Sequence, residues 1–90
     1  MNYESVTNYY ETLVAFELRD QLKESENASD LDYIEDVACV ALNKLPPRYV
    51  RHHVDLAYYL TDEEKLEMDK AVRIAVSDAI AFVNKHRQRK

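Results

Sequence analysis

Apolar residues recur at spacings of three and four along two stretches of the first half of the chain, which is the period of an amphipathic helix. The first stretch predicts a helix from Ser5 to about Lys23, where Ser5 and Thr7 can each accept a bond from the first free N–H groups. Its apolar stripe consists of Val6, Tyr10, Leu13, Val14, Leu18 and Leu22. The second predicts a helix over Leu31 to Asn43, with a stripe at Ile34, Val37, Ala38, Ala41, Leu42 and Leu45.

Acidic residues gather at the start of the second predicted helix, at Asp30, Asp32, Glu35 and Asp36. Two caps fit this start, either Ser29 paired with Asp32 or Asp30 alone. The helix dipole also favours negative charge in these first turns. The same carboxylates offer oxygen ligands for a metal, but no histidine or cysteine converges with them in the sequence. A capped, solvated helix start is the preferred interpretation.

A capping box begins the last and longest helical stretch, with Thr61 at the N-cap and Glu64 three residues later. Apolar residues between Ala71 and Val83 cover well over half of this helix's circumference. A helix with so wide an apolar surface is buried centrally or at a subunit interface. So small a chain has few residues with which to cover this surface, and a subunit interface would bury it. The sequence therefore predicts a homodimer through the C-terminal helix. Residues 84–90 lose the apolar pattern and predict a basic, solvated tail.

Between the prolines and the capping box, Tyr49 to Leu60 predicts a brief helix or turn with a stripe at Val50, Val54, Ala57 and Tyr58. His52 and His53 are adjacent, so on a helix they point about 100° apart and cannot share one metal ion. Surface histidines or histidines that contact a partner are the preferred interpretation.

The composition narrows the fold class. The chain has 90 residues, of which 47% are apolar and 32% charged, and it contains no glycine. This length accommodates one domain spanning residues 1–90, and the absence of glycine disfavours the tight turns of a β-rich fold. The predicted class is therefore all-α, with about four helices in one small domain. Cys39 is the only cysteine, which excludes an intramolecular disulfide and a cysteine zinc site.

Charge and motifs exclude several functions. Residues 1–43 carry 10 acidic and 2 basic residues, whereas residues 44–90 carry 7 acidic and 10 basic residues. No dominant basic face results, so nucleic-acid binding is disfavoured. No apolar run approaches the about 18 residues of a membrane span and no signal-peptide pattern follows Met1, so we expect a cytoplasmic protein without membrane insertion. The sequence contains no phosphate loop, no nucleophile–base pattern and no metal-ligand spacing. We therefore expect the chain to have no enzymatic activity and to bind no cofactor or metal.

The most unusual segment runs from Ala41 to Val50 and contains Pro46 and Pro47, the only two prolines. Proline fixes its own φ, and it disfavours the α region for the residue before it, so a helix arriving from the N-terminal side stops near Lys44. Basic and aromatic residues follow on this stiff backbone. A rigid loop of this kind can hold an anion or a nucleobase, and the alternative is a stiff connector whose basic residues are solvated.

These residues carry a family resemblance. The chain resembles the ComFB family of late competence development proteins from about Tyr3 to Val83. The resemblance is carried by Asn8-Tyr9-Tyr10-Glu11 followed by Leu13-Val14, then Asp36-Val37, then Ala41-Leu42-Asn43-Lys44-Leu45-Pro46-Pro47-Arg48-Tyr49-Val50. The resemblance implies a small all-helical homodimer with a non-enzymatic role in competence and type IV pilus-related regulation. Some members bind cyclic di-GMP or cyclic di-AMP. Others bind zinc through cysteines before the Asp-Val helix, where this chain has Ala28, Asp30 and Tyr33, so a structural zinc is not expected.

For this chain the resemblance implies a cyclic dinucleotide held at the proline loop. Arginine can pair with a phosphate in a bidentate manner or read a guanine edge, and tyrosine can stack on a purine. The expected ligand-binding residues are Lys44, Arg48, Tyr49, Arg51 and His52. The ligand-bound protein is expected to pass the signal to an unidentified protein partner. The alternatives are a ligand-free adaptor that binds a partner through its tyrosine-rich and acidic faces and, least favoured, a nuclease that uses the acidic cluster.

Overall fold

Three long helices and a short antiparallel strand pair make up the domain. The computed structural model describes residues 4–87, apart from the side chains of His53, Asp55 and Ala57. The elements in chain order are β1 (Thr7–Asn8), α1 (Tyr9–Leu22), α2 (Leu31–Asn43), β2 (Tyr49–Val50), the short α3 (His53–Tyr59) and α4 (Asp62–Arg87). The mostly helical class is therefore confirmed, and the strand pair was not predicted. None of the described helices combines the length and the apolar character that crossing a membrane requires.

Helix α1 begins at Tyr9 and not at Ser5, so the predicted start was wrong. Asn8 is the N-cap, and its side-chain Oδ1 accepts a hydrogen bond from the Tyr10 N–H at 3.2 Å. Thr7 and Asn8 are extended and pair with Val50 and Tyr49. Long-range strand pairing thus replaces the helical turn that the local pattern favoured.

Helix α2 has the predicted bounds, and of the two caps considered it uses Asp30 alone. The Asp30 carboxylate accepts a hydrogen bond from the Tyr33 N–H at 3.1 Å. At the other end the Lys44 N–H donates to the Ala41 carbonyl at 3.1 Å, which closes the last turn just before the prolines. Both ends of α2 are therefore set by signals that lie within a few residues of them.

The capping box of α4 is formed as predicted. The Glu64 N–H donates to Thr61 Oγ1 at 3.1 Å, and the Thr61 N–H donates to Glu64 Oε1 at 3.3 Å. The predicted basic tail is helical as far as Arg87, because α4 continues to that residue, and Asn84, Lys85 and His86 in it are exposed. The Arg87 guanidinium lies 3.4 Å from Asp30 Oδ2, 3.9 Å from Asp36 Oδ2 and 5.0 Å from the centre of the Tyr33 ring. Residues 88–90 of the predicted tail lie outside the described residues.

The core lies where α4 packs against both α1 and α2. Each long helix contributes one buried stripe, and the buried side chains are Tyr10, Val14, Leu18 and Leu22 of α1, Tyr33, Val37 and Ala41 of α2, and Met68, Val72, Ala75, Val76, Ala79 and Val83 of α4. Most of the wide apolar surface of α4 is thus covered within one chain. Leu66, Ile74 and Phe82 remain exposed on α4.

The short α3 buries a different face from the one that the sequence predicted. Val54 and Tyr58 of the predicted stripe are 74% and 85% exposed, and Ala57 lies outside the described side chains. Leu56 and Leu60 pack into the core instead. A stripe read on so short a segment has too few turns to determine which side faces the core.

Candidate functional site

The segment between α2 and β2 is anchored at its second residue, Leu45. The Leu45 side chain is buried in the core, and its N–H donates to the Leu42 carbonyl at 3.2 Å. Pro46 and Pro47 follow as exposed residues without regular structure. Since each proline restricts its own φ, the path from Leu45 to Arg48 has little freedom. The loop that the sequence singled out is therefore stiff and fixed at its start.

Arg48 is fixed through its backbone on both sides. Its N–H donates to Asn8 Oδ1 at 3.0 Å, and its carbonyl accepts from the Tyr9 N–H at 2.7 Å. Beyond it, Tyr49 and Val50 form the antiparallel pair with Asn8 and Thr7. Arg48 therefore has a defined backbone position while its side chain stays exposed.

Asn8 is the residue that holds this arrangement together, and sequence reasoning did not assign it that role. One oxygen, Oδ1, accepts from the N–H groups of both Tyr10 and Arg48. The first bond caps α1 and the second pins the proline loop to the start of α1. Asparagine is among the strongest N-cap residues, and Glu11 stands three residues later, so the cap had a recognisable sequence signal.

The five predicted binding residues are all exposed, but they do not point into one cavity. Side chains alternate along an extended strand, so Tyr49 and Val50 lie on opposite faces of β2. Val50 accordingly packs against the core, and Tyr49 is 66% exposed. Lys44 lies at the end of α2, and Arg51 and His52 lie between β2 and α3.

Arg48 borders a shallow cavity of about 220 Å³ between the loop and the start of α4. The other lining residues are Tyr10, Glu64, Glu67 and Met68. Sequence reasoning missed the two glutamates, because only the packing of α4 against α1 brings them beside the loop. The cavity therefore combines a guanidinium donor with carboxylate acceptors, which is a set suited to a ligand edge that carries both acceptors and donors.

The acidic cluster at the start of α2 has a structural role in this fold. A hydrogen bond from the Tyr33 N–H, together with the nearby Arg87 guanidinium, lowers the pKa of Asp30 below its usual value, and partial desolvation opposes them. Asp36 lies on the other side of the same guanidinium. Among the described side chains, which leave out those of His53 and Asp55, no three His, Cys, Asp or Glu gather in a way that suits a metal ion.

Fold and loop together define a small helical domain in which a strand pair pins a Pro-Pro-Arg-Tyr loop to the start of the first helix. The family model described as "Late competence development protein ComFB" matches residues 7–87. Because the match covers nearly the whole chain, the chain belongs to the ComFB family, and the resemblance seen in the sequence is confirmed. No curated protein and no solved structure matches the chain.

Proposed function

We propose that this domain is a non-enzymatic, competence-related regulator that binds a cyclic dinucleotide at the Arg48 loop and relays it to a protein partner. Membership of the ComFB family supports the regulatory role. The ligand proposal rests on one observation: the Arg48 backbone is held by hydrogen bonds to Asn8 and Tyr9, while its guanidinium is exposed. The preferred ligand is cyclic di-GMP, with cyclic di-AMP second.

A backbone that is held before the ligand arrives favours binding. Fixing a mobile loop on association reduces affinity, and Arg48 has most of that ordering already in place. Its guanidinium can form two parallel hydrogen bonds to a phosphate or to the O6 and N7 atoms of guanine. A hydrogen bond to a charged group contributes about 1.5–3 kcal/mol. This one residue can therefore decide whether binding is measurable.

The glutamates beside Arg48 favour guanine over adenine. Guanine carries acceptors at O6 and N7 and an amino donor, N2, on its C2 atom. Adenine carries an amino donor at N6 and no amino group on C2. Arg48 can donate to the guanine acceptors, while a carboxylate such as that of Glu67 accepts from the N2 amino group. Adenine would place its N6 donor against the arginine.

The other expected ligand-binding residues act around this contact. Tyr49 presents an exposed ring on which a purine can stack, worth roughly 1–3 kcal/mol per stacked base. Lys44, Arg51 and His52 add positive potential or hydrogen-bond donors near the phosphates. Arg48 borders the cavity beside α4 and the exposed Tyr49 does not line it, so the two residues contact different parts of the ligand.

Calorimetric titration of the purified chain with cyclic di-GMP and cyclic di-AMP tests this function. We expect cyclic di-GMP to bind more tightly, and we expect Arg48→Ala to weaken its affinity more than tenfold, at least ~1.4 kcal/mol. Arg73→Ala is the matched control, since Arg73 is an exposed arginine in the middle of α4. Arg87, whose guanidinium contacts Asp30 and Tyr33, is unsuitable as a control. Equal affinities for wild type and Arg48→Ala would contradict the proposed site.

A ligand-free adaptor is the second candidate. Tyr58 and Tyr59 are 85% and 79% exposed, and their rings meet edge to face at 5.7 Å. Exposed tyrosines are typical of protein interfaces, where one end of the ring is apolar and the other hydrated. The same titration separates the two functions, because an adaptor of this kind binds neither dinucleotide.

A further inference from the structure

An apolar groove lies between α1 and α2 and has a volume of about 370 Å³. Its floor and far wall are formed by Val14, Leu18, Leu22, Ile34, Ala38 and Leu42. The first three are buried and the last three are half-buried, so the groove is shallow enough to be open along its length. Nothing in the Arg48 loop lines it, which makes it a separate surface.

Three charged residues of α1 mark the rim of the groove. Glu11 lies toward one end and Arg19 and Lys23 toward the other, and all three are exposed. From Glu11 to Lys23 the helix rises about 18 Å, at ~1.5 Å per residue. The Arg19 guanidinium lies over the Phe16 ring at 5.8 Å, which keeps it at the rim.

The cations at the basic end are accessible to a partner. The Lys23 ammonium lies 3.7 Å from Asp20 Oδ1, and the two side chains are 65% and 70% exposed. A pair as exposed as this contributes little and exchanges readily with another carboxylate. The rim is therefore acidic at one end and offers available positive charge at the other.

We propose that this groove binds an amphipathic helix of another protein, about 12 residues long at ~1.5 Å per residue. The bound helix is apolar along the face that enters the groove, acidic in the turn that meets Arg19 and Lys23, and basic in the turn that meets Glu11. Acid in the first turn and base in the last also suit the partner helix's own dipole. The partner then runs antiparallel to α1.

The lining explains why a helix fits better than an extended peptide. A strand laid on apolar side chains would bury backbone N–H and C=O groups without partners, whereas a helix satisfies them internally. Ala15 at the α1 rim and Ala38 in the α2 wall are small, so another helix can approach closely there. Helix-in-groove recognition uses anchors at spacings of three and four along the bound helix.

The groove would supply the surface for the protein partner in the proposed function. Peptide binding to the groove can be measured without any nucleotide. Three fluorescent peptides of about 12 residues, which match the ~18 Å rim at ~1.5 Å per residue, share one leucine face and differ in their end turns. One has an acidic first turn and a basic last turn, one is acidic at both ends, and one is basic at both ends. Fluorescence anisotropy with the full chain should show the mixed peptide binding at least tenfold more tightly than either of the others.

Variants of the chain locate the contact. Arg19→Glu/Lys23→Glu makes the rim acidic throughout, so this variant should prefer the basic peptide and bind the mixed one at least tenfold more weakly than wild type does. Ala15→Arg places a long charged side chain halfway along the rim, where it blocks the close approach of another helix, and should abolish binding. Ala81→Arg, at an exposed alanine of α4, is the matched control and should change nothing. Circular dichroism checks that each variant is folded.

Equal binding of the three peptides, or binding that survives Ala15→Arg, would overturn the proposal. A second copy of the chain is the other occupant that the groove could hold, and light scattering tests for it. A dimer that Ala15→Arg converts to monomer would mean that a second copy fills the groove. Ala15→Arg should leave cyclic di-GMP affinity unchanged. Peptide binding without any nucleotide binding would therefore support this docking site and contradict the proposed ligand.

Discussion

At the residue scale, Asn8 connects two parts of the fold through one atom. Its Oδ1 accepts from the N–H groups of Tyr10 and Arg48, which lie in α1 and in the proline loop. An N-cap side chain contributes about 0.5–2 kcal/mol to stability. A further intramolecular hydrogen bond adds about 0.5–1.5 kcal/mol. Stability of the helix start and position of the candidate binding residue thus depend on the same side chain.

We predict that Asn8→Ala lowers the free energy of unfolding by about 1–3.5 kcal/mol, because both backbone N–H groups lose their acceptor. The control is Asn8→Asp, which keeps an acceptor oxygen in the same place and should stay close to wild type. Urea unfolding followed by circular dichroism measures both. A loss of less than about 0.5 kcal/mol for Asn8→Ala would show that water replaces the side chain at both donors.

Asp30 makes the stability of the domain depend on acidic pH. Its pKa is lowered in the folded chain, first by the Tyr33 N–H and further by Arg87, so ionised Asp30 stabilises the fold. That contribution is present above the unfolded value of about 3.9 and is lost as the pH falls through the lower folded pKa. Asp30→Asn keeps the cap oxygen but removes the charge. We expect it to be less stable than wild type at pH 7, with the difference shrinking below about pH 4, as urea unfolding at several pH values will show.

At the element scale, the last turn of α4 is tied to the start of α2. The Tyr33 hydroxyl donates to Asn84 Oδ1 at 2.6 Å, and Arg87 lies over the Tyr33 ring. We predict that Arg87→Ala lowers the melting temperature by about 2–8 °C, since a partly exposed cation–π contact contributes about 0.5–1 kcal/mol. Amide exchange in the last turn should also become faster. Lys85→Ala removes an exposed charge from the same turn and should have a smaller effect.

The helices were predictable where their signals are local. Helix α2 has the expected bounds because Asp30 caps one end and Pro46 prevents extension at the other, and the α4 capping box is equally local. Strand pairing was not predictable, because two-residue strands have no periodicity and their register depends on Asn8 meeting a residue 40 positions away. The proline loop could be singled out because its prolines are a local signal. Glu67 could not be placed beside it, because only the packing of α4 against α1 brings the two together.

At the scale of the whole molecule, the remaining apolar surface of α4 bears on the proposed homodimer. Leu66, Ile74 and Phe82 are 70%, 52% and 47% exposed. They follow one another at intervals of eight residues, and over each interval the side-chain direction rotates by about 80° around the helix axis. A straight partner helix cannot contact all three equally, so a dimer seam along α4 would centre on Ile74.

We predict that the wild-type chain elutes as a dimer at micromolar concentration and that Ile74→Asp elutes as a folded monomer, because a dimer would bury the new carboxylate without a partner. Size-exclusion chromatography with light scattering measures both. Val54→Asp is the control, since Val54 is 74% exposed on α3 and lies off the proposed seam. A wild-type monomer would contradict the homodimer.

We propose that a cyclic dinucleotide binds at the loop held by Asn8. The most direct test is a titration of the isotope-labelled chain with cyclic di-GMP, followed by the backbone amide signals in nuclear magnetic resonance spectra. We predict that the signals that move most belong to residues 44, 45 and 48–52 (Pro46 and Pro47 have no amide hydrogen), to Asn8 and Tyr10, and to the α4 turn that contains Glu64 and Glu67. Unchanged spectra at millimolar ligand, or shifts confined to the groove between α1 and α2, would contradict binding at this loop.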